Sequence, residues 1–179
     1  MSRIRIVGGV WRSRRIDVAG LPGLRPTPDR VRETLFNWLG QDLDGLVCLD
    51  LFAGSGILGF EAASRGAAAV TLLDIDPRAH AALRRNAEAL AAQVEIVRGD
   101  ALEFLAATPK RFDVVFVDPP YRQSWIGRVA PLLDRVIQPG GCIYAEAEAP
   151  LAPFSGWRMS RQGRAGRVYF HLMRRAEQS

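Results

Sequence analysis

The chain has 179 residues, 48% of them apolar, with a formal net charge of +5. That length suits one domain with a sizeable core. No apolar stretch approaches the roughly 20 residues of a spanning helix, and Ser2-Arg3-Ile4-Arg5 opens the chain without a signal-peptide core, which points to the cytoplasm.

The N-terminus carries the charge excess. Residues 1–36 hold eight arginines (Arg3, Arg5, Arg12, Arg14, Arg15, Arg25, Arg30 and Arg32) against Asp17, Asp29 and Glu33, whereas the remainder is balanced. Such segregation attracts a polyanionic backbone. The single lysine, Lys110, shows that arginine is the default base here, but that does not explain the clustering. Apolar runs around Gly8-Gly9 predict a hairpin closed by a two-glycine turn. Residues 21–28 read as a loop. Thr27 is expected to cap a helix that has Pro28 at its first position and ends at Gly40.

Strands and helices then alternate. Strand 46–51 leads to helix 57–65, strand 69–74 to a helix opened by Pro77, and strand 94–97 to helix 101–107. Strand 112–117 leads to helix 124–137, and Pro139-Gly140-Gly141 is expected to turn the chain into strand 142–146. Segments near 157–160 and 168–173 supply last strands, one of them antiparallel. The pattern predicts an α/β, Rossmann-like, doubly wound sheet of seven mostly parallel strands, with ligands at the strands' carboxyl ends. Residues 1–26 would form a basic hairpin-and-loop extension, and residues 27–179 the main domain.

Gly54-x-Gly56-x-x-Gly59 lies between a strand and a helix, and Asp74 follows about 20 residues later. This fits either a dinucleotide or S-adenosylmethionine. Asp50 favours the second, because a carboxylate beside a pyrophosphate is unfavourable but suits an α-amino group and a sulfonium. Phe52 and Ala53 would wall the turn. Asp74, with Ile75 beside it, would hold ribose hydroxyls. Asp100 could accept from the adenine amine while the Ala101 amide donates to the ring; Asp100 could equally cap the next helix.

Asp118-Pro119-Pro120-Tyr121 follows the fourth strand. Asp118 and the Pro119 carbonyl can accept the two N–H bonds of an exocyclic amine, whose lone pair is otherwise delocalised into its ring, and Tyr121 can stack on the base. A double proline also simply ends strands. Neither Cys48 nor Cys142 lies in a loop suited to attack a pyrimidine ring. No Cys/His cluster has metal-ligand spacing.

Residues Arg5-Ile6-Val7-Gly8-Gly9-x-Trp11-Arg12, the stretch Leu24-Arg25-Pro26-Thr27-Pro28-Asp29-Arg30-Val31-Arg32-Glu33, the glycine turn and Asp118-Pro119-Pro120-Tyr121 closely resemble the RsmD family, bacterial 16S rRNA (guanine(966)-N(2))-methyltransferases. The resemblance implies a monomer that uses S-adenosylmethionine and acts on 16S rRNA in an assembling 30S subunit, with an N-terminal hairpin that contacts RNA or ribosomal protein. It implies that Asp50, Phe52, Gly54 and Gly56 line the methionine and ribose side. Asp118, Pro119 and Tyr121 would hold guanine, and Arg5, Arg12, Arg14, Arg15, Arg25, Arg30 and Arg32 would meet RNA. Arg25 and Thr27 either close over the site or only build the loop and cap. Arg30 and Arg32, two apart on a helix, cannot share a face, so one of them should pair with an acid. The alternatives are an amino methyltransferase for DNA or a small molecule, and a non-catalytic RNA-binding assembly factor. The filled cofactor and amine positions disfavour the latter.

Overall fold

Two short strands, β1 (Ser2–Arg5) and β2 (Arg15–Val18), open the computed structural model, which describes residues 2–121 and 124–177. Helix α1 (Asp29–Leu39) follows. The chain then alternates through β3 (Val47–Asp50), α2 (Ile57–Ser64), β4 (Ala69–Asp74), α3 (Pro77–Leu90), β5 (Glu95–Arg98), α4 (Ala101–Ala107), β6 (Phe112–Val117), α5 (Trp125–Leu133) and β7 (Ile137–Ala147). Strands β8 (Trp157–Ala165) and β9 (Val168–Arg175) complete one sheet ordered β5-β4-β3-β6-β7-β9-β8. Strands β3 to β7 pair in parallel, and β9 runs against both its neighbours. The doubly wound fold expected from the sequence is borne out.

Strands covered on both faces need unbroken apolar runs, and residues 114–117 of β6 supply one. Val114 and Phe116 pack with Leu35, Phe36 and Phe60 under α1 and α2, whereas Val115 and Val117 pack with Leu105, Val129 and Leu133 under α4 and α5. The strand order reverses between β3 and β6. Their carboxyl ends therefore splay their connections to opposite faces and leave a crevice between them.

Three local readings of the sequence are corrected. The β1–β2 hairpin is real, with Ser2 opposite Val18 and Arg5 opposite Arg15, but residues 6–14 connect it, not a two-glycine turn. Gly8 and Gly9 instead press on the end of α2. A Cβ on Gly9 (φ 75°) would lie 2.0 Å from the Ser64 carbonyl oxygen. Ser64 Oγ donates to the Gly8 carbonyl (2.6 Å) and accepts from the Trp11 amide (3.0 Å). Ile6 and Ile16 are buried in the main core, and Asn86 of α3 bonds both the amide and the carbonyl of Asp17.

Pro139-Gly140-Gly141 does not precede β7 but lies inside it. Phe112 pairs with Ile137 and Val114 with Cys142, so four residues of β7 bulge opposite one of β6. Lastly, Thr27 does not cap α1. Pro28 occupies the cap position without a side-chain bond, and the Thr27 hydroxyl turns into the crevice toward Glu146.

Candidate active site

The crevice, about 350 Å³, is walled by the loop 21–27, the turn after β3, and the ends of β4, β5 and β6. Asp50, Phe52, Ala53 and Gly54 from the first turn face Asp74 and Ile75, with Asp100 and Ala101 beyond; Asp118, Pro119, Pro120 and Tyr121 close the other side. Gly56 is buried under the turn and is not among the residues lining this cleft. It is needed there for packing: at φ 82°, a Cβ would lie 2.5 Å from a Leu83 methyl.

Each acid has a structural duty that fixes its orientation. Asp50 Oδ2 accepts from the Gly59 amide (3.0 Å), bracing the turn against its own strand. Asp74 uses Oδ2 for the Gly54 amide and Oδ1 for the Asp76 amide, both at 2.9 Å. A carboxylate oxygen has a second lone pair, so ribose hydroxyls can still bond there. Asp100 caps α4 through Oδ1, accepting from Leu102 and Glu103. The capping role foreseen for it is therefore present, and it leaves the carboxylate at the cleft.

The donor set fits S-adenosylmethionine. Asp50 is buried, and burial pushes its carboxyl up from 3.8 to about 7. The groups acting on it are the Gly59 amide, Asp74 and Glu146, with no cation among them. A buried carboxylate without a cationic partner suits an incoming ammonium. Ile75 is 62% exposed, an apolar face beside Asp74. Phe52 meets Trp125 edge-on at 5.4 Å, making an aromatic wall.

The Asp118 side of the cleft is backed by two residues that sequence reasoning missed, Tyr144 and Glu146. Thr27 Oγ1 lies 2.8 Å from Glu146 Oε1 and 3.3 Å from Asp118 Oδ2, and the Tyr144 hydroxyl donates to Glu146 at 2.7 Å. Burial and the Glu146 charge hold the Asp118 carboxyl well above its ordinary range. An acid within the apolar run of β7 was the available signal, since a buried carboxylate rarely lacks a partner.

Of the arginines, Arg32 is corrected. Its guanidinium is fully buried, bonding the Arg5 carbonyl, Glu61 (2.7 Å) and Asp29, while Nε donates to the Thr27 carbonyl (3.0 Å). It braces the loop and is closed to RNA. Arg5 is exposed but paired with Asp29 at 2.7 Å. Arg12, Arg14, Arg15, Arg25 and Arg30 are exposed, and Arg14 also donates to the Ala89 carbonyl. Burial pushes the Cys48 and Cys142 thiols up to about 12 and 11, so neither is an available nucleophile.

Residues 4–174 match the family described as Conserved hypothetical protein 95. The chain is 42% identical over 183 residues to ribosomal RNA small subunit methyltransferase D of Escherichia coli K12, covering 98% of this chain and 92% of that relative. The chain belongs to the RsmD family. A Haemophilus influenzae member is 40% identical over 178 residues, covering 94% of this chain and 92% of its own length. The solved structure of yhhF from Escherichia coli superposes with a TM-score of 0.87 at 42% identity, covering 99% of this chain and all of that one. The chain is an S-adenosylmethionine-dependent methyltransferase of this family.

Proposed function

We propose that the protein methylates the exocyclic N2 amine of one guanine in 16S rRNA, within the 30S subunit or its assembly intermediate. The observation that carries this reading is the meeting of the two halves in one cleft: Asp50, Gly54, Asp74 and Asp100 on one side, and Asp118 to Tyr121 on the other. When bound, S-adenosylmethionine supplies an electrophilic methyl group on a sulfonium. Asp50 would receive its α-amino group, Asp74 its ribose hydroxyls, and Asp100 with the Ala101 amide its adenine. Asp118 and the Pro119 carbonyl would accept the two amine N–H bonds, turning the nitrogen lone pair toward the methyl. Tyr121, 38% exposed, would stack on the base. A base must leave its stack to enter such a cleft.

Arg12, Arg14, Arg15, Arg25 and Arg30 would meet phosphates around the cleft, and residues 1–26 act as an RNA-contacting extension. Arg158, Arg161, Arg164 and Arg167 are exposed along β8 and its turn into β9, a second basic row suited to the same polyanion. The reading is of a cytoplasmic monomer whose contacts include ribosomal proteins of the particle. To test it, 30S subunits from a strain lacking its own enzyme are incubated with the protein and labelled cofactor, and the modified base is mapped. Label on one guanine N2 is expected; label elsewhere, or none, would refute it.

A further inference from the structure

Beneath the base-holding residues, β6 and β7 place two acids side by side. Val117 pairs with Ala145 in parallel register, so Asp118 and Glu146, each one residue further on, lie on adjacent strands facing α1. The Thr27 hydroxyl lies between them, held from behind by the bond of Arg32 to the Thr27 carbonyl. That hydroxyl has one proton and two carboxyl neighbours. Shared between two anions, that proton makes a weak three-centre bond at best; both contacts are full hydrogen bonds when one carboxyl is protonated and donates to the threonine oxygen. Glu146 Oε1 receives Tyr144 at 2.7 Å and Thr27 at 2.8 Å, an environment suited to the anion, so the proton belongs to Asp118. The direction of titration agrees: Glu146 raises Asp118, whereas the bonds from Tyr144, Thr27 and Asp118 pull Glu146 down against its burial. The other ionisable groups acting here are Asp50 and Tyr121; Tyr121 in turn feels Glu148 and Arg25, and Asp50 feels Asp74.

We propose that Glu146 is a positioning residue for methyl transfer, sharing one proton with Asp118 through Thr27 and taking up the proton that the methylated amine must lose. The inference rests on the amine-methylation reading above. The nitrogen lone pair forms the C–N bond while the C–S pair withdraws onto sulfur. The N–H pair then stays on nitrogen, and its proton goes to the outer oxygen of Asp118. The proton already on Asp118 passes across Thr27 to Glu146, which loses its charge and later releases the proton to water. A buried anion opposite the amine thus offsets the positive charge that develops there.

The test begins on the isolated protein by infrared titration of carboxyl groups. A protonated-acid band that Asp118→Asn removes is expected near neutral pH. In Glu146→Gln that band should titrate away at least about one pH unit lower, because the neighbouring charge is gone. In single-turnover methylation, Glu146→Gln should slow transfer about tenfold or more and shift the pH–rate profile. Cofactor affinity should stay within about twofold, since Glu146 lies on the base-holding side. Thr27→Ser should behave as the parent, whereas Thr27→Val should slow transfer as Glu146→Gln does but move the band to higher pH, because it removes a bond that lowers both carboxyls; this covers the case of a Glu146 variant that does not fold. An unshifted band, or superimposable pH–rate profiles, would overturn the proposal. An intact infrared result with no label on any RNA base would instead overturn the substrate reading and leave the carboxyl pair standing.

Discussion

Replacing Asp50 by Asn should make the cofactor-free protein more stable at alkaline pH and leave it unchanged in acid. Asp50 is 1% exposed, and its carboxyl titrates at about 7 in the fold against 3.8 for an ordinary aspartate. A shift of about three pH units corresponds to about 4 kcal/mol, at 1.36 kcal/mol per unit. The folded protein binds this proton more tightly than the unfolded chain does. Its contribution to stability is therefore full below about pH 4 and is lost as pH rises through about 7. Asparagine has no charge to bury and can keep the bond to the Gly59 amide. Urea unfolding of parent and variant near pH 5 and near pH 8 isolates the effect, because other titrating groups cancel in the difference. Part of the roughly 4 kcal/mol is already lost by pH 5, so between the two conditions the variant should gain about 3 kcal/mol on the parent. A difference independent of pH would refute the buried, uncompensated carboxylate. If the cofactor's ammonium meets Asp50, binding to the parent near pH 6 should also release a proton, measurable by calorimetry in buffers of different ionisation enthalpy, and the variant should release none.

Asp118→Ala should keep cofactor affinity and lose roughly two or more orders of magnitude in methyl transfer, because in the proposed reaction the residue would meet the amine and not the sulfonium; loss of cofactor binding by calorimetry would assign it to the wrong half of the cleft. Asp74→Ala should weaken cofactor binding by about 1–3 kcal/mol, since it removes the ribose acceptors and frees the Gly54 amide; unchanged affinity would discard the role. Changing Arg12, Arg14 and Arg15 to Ala should flatten the salt dependence of 30S binding by roughly 0.7–0.9 in log–log slope per lost phosphate contact, with cofactor affinity unaltered. Identical titrations at two salt concentrations would remove these arginines from the RNA surface. Arg32→Ala should cost up to about 3–5 kcal/mol in chemical unfolding, because it removes the nearer guanidinium from fully buried Glu61 and leaves only Arg65, at 3.3 Å, to face its charge; a loss below about 1 kcal/mol would show the network to be dispensable.

Helix 101–107 and strands 69–74 and 112–117 are read from the sequence to the residue, because each rests on a local pattern bounded by its own stop signals. That Asp50, Asp74 and Asp100 share one cleft was legible for the same reason: they stand at the ends of successive strands, and sheet order alone brings strand ends together. Thr27 shows where local rules end. A threonine before proline and a helix reads as a cap, yet its hydroxyl bonds Glu146, 119 residues away, a partner no window of sequence contains. Arg32 follows the same logic: its spacing on α1 revealed only that it could not share a face with Arg30, and the fully buried Glu61 of α2 decided which of the two turned inward. Gly8-Gly9 reads locally as a turn, but the approach of Ser64 from α2 gives those glycines another use. Periodicity and strand-end chemistry are carried by neighbours in the chain, so the sequence determined the fold and the row of acids at its strand ends. The partners of buried polar groups are chosen when distant elements pack, so only the tertiary structure could pair Asp118 with Glu146.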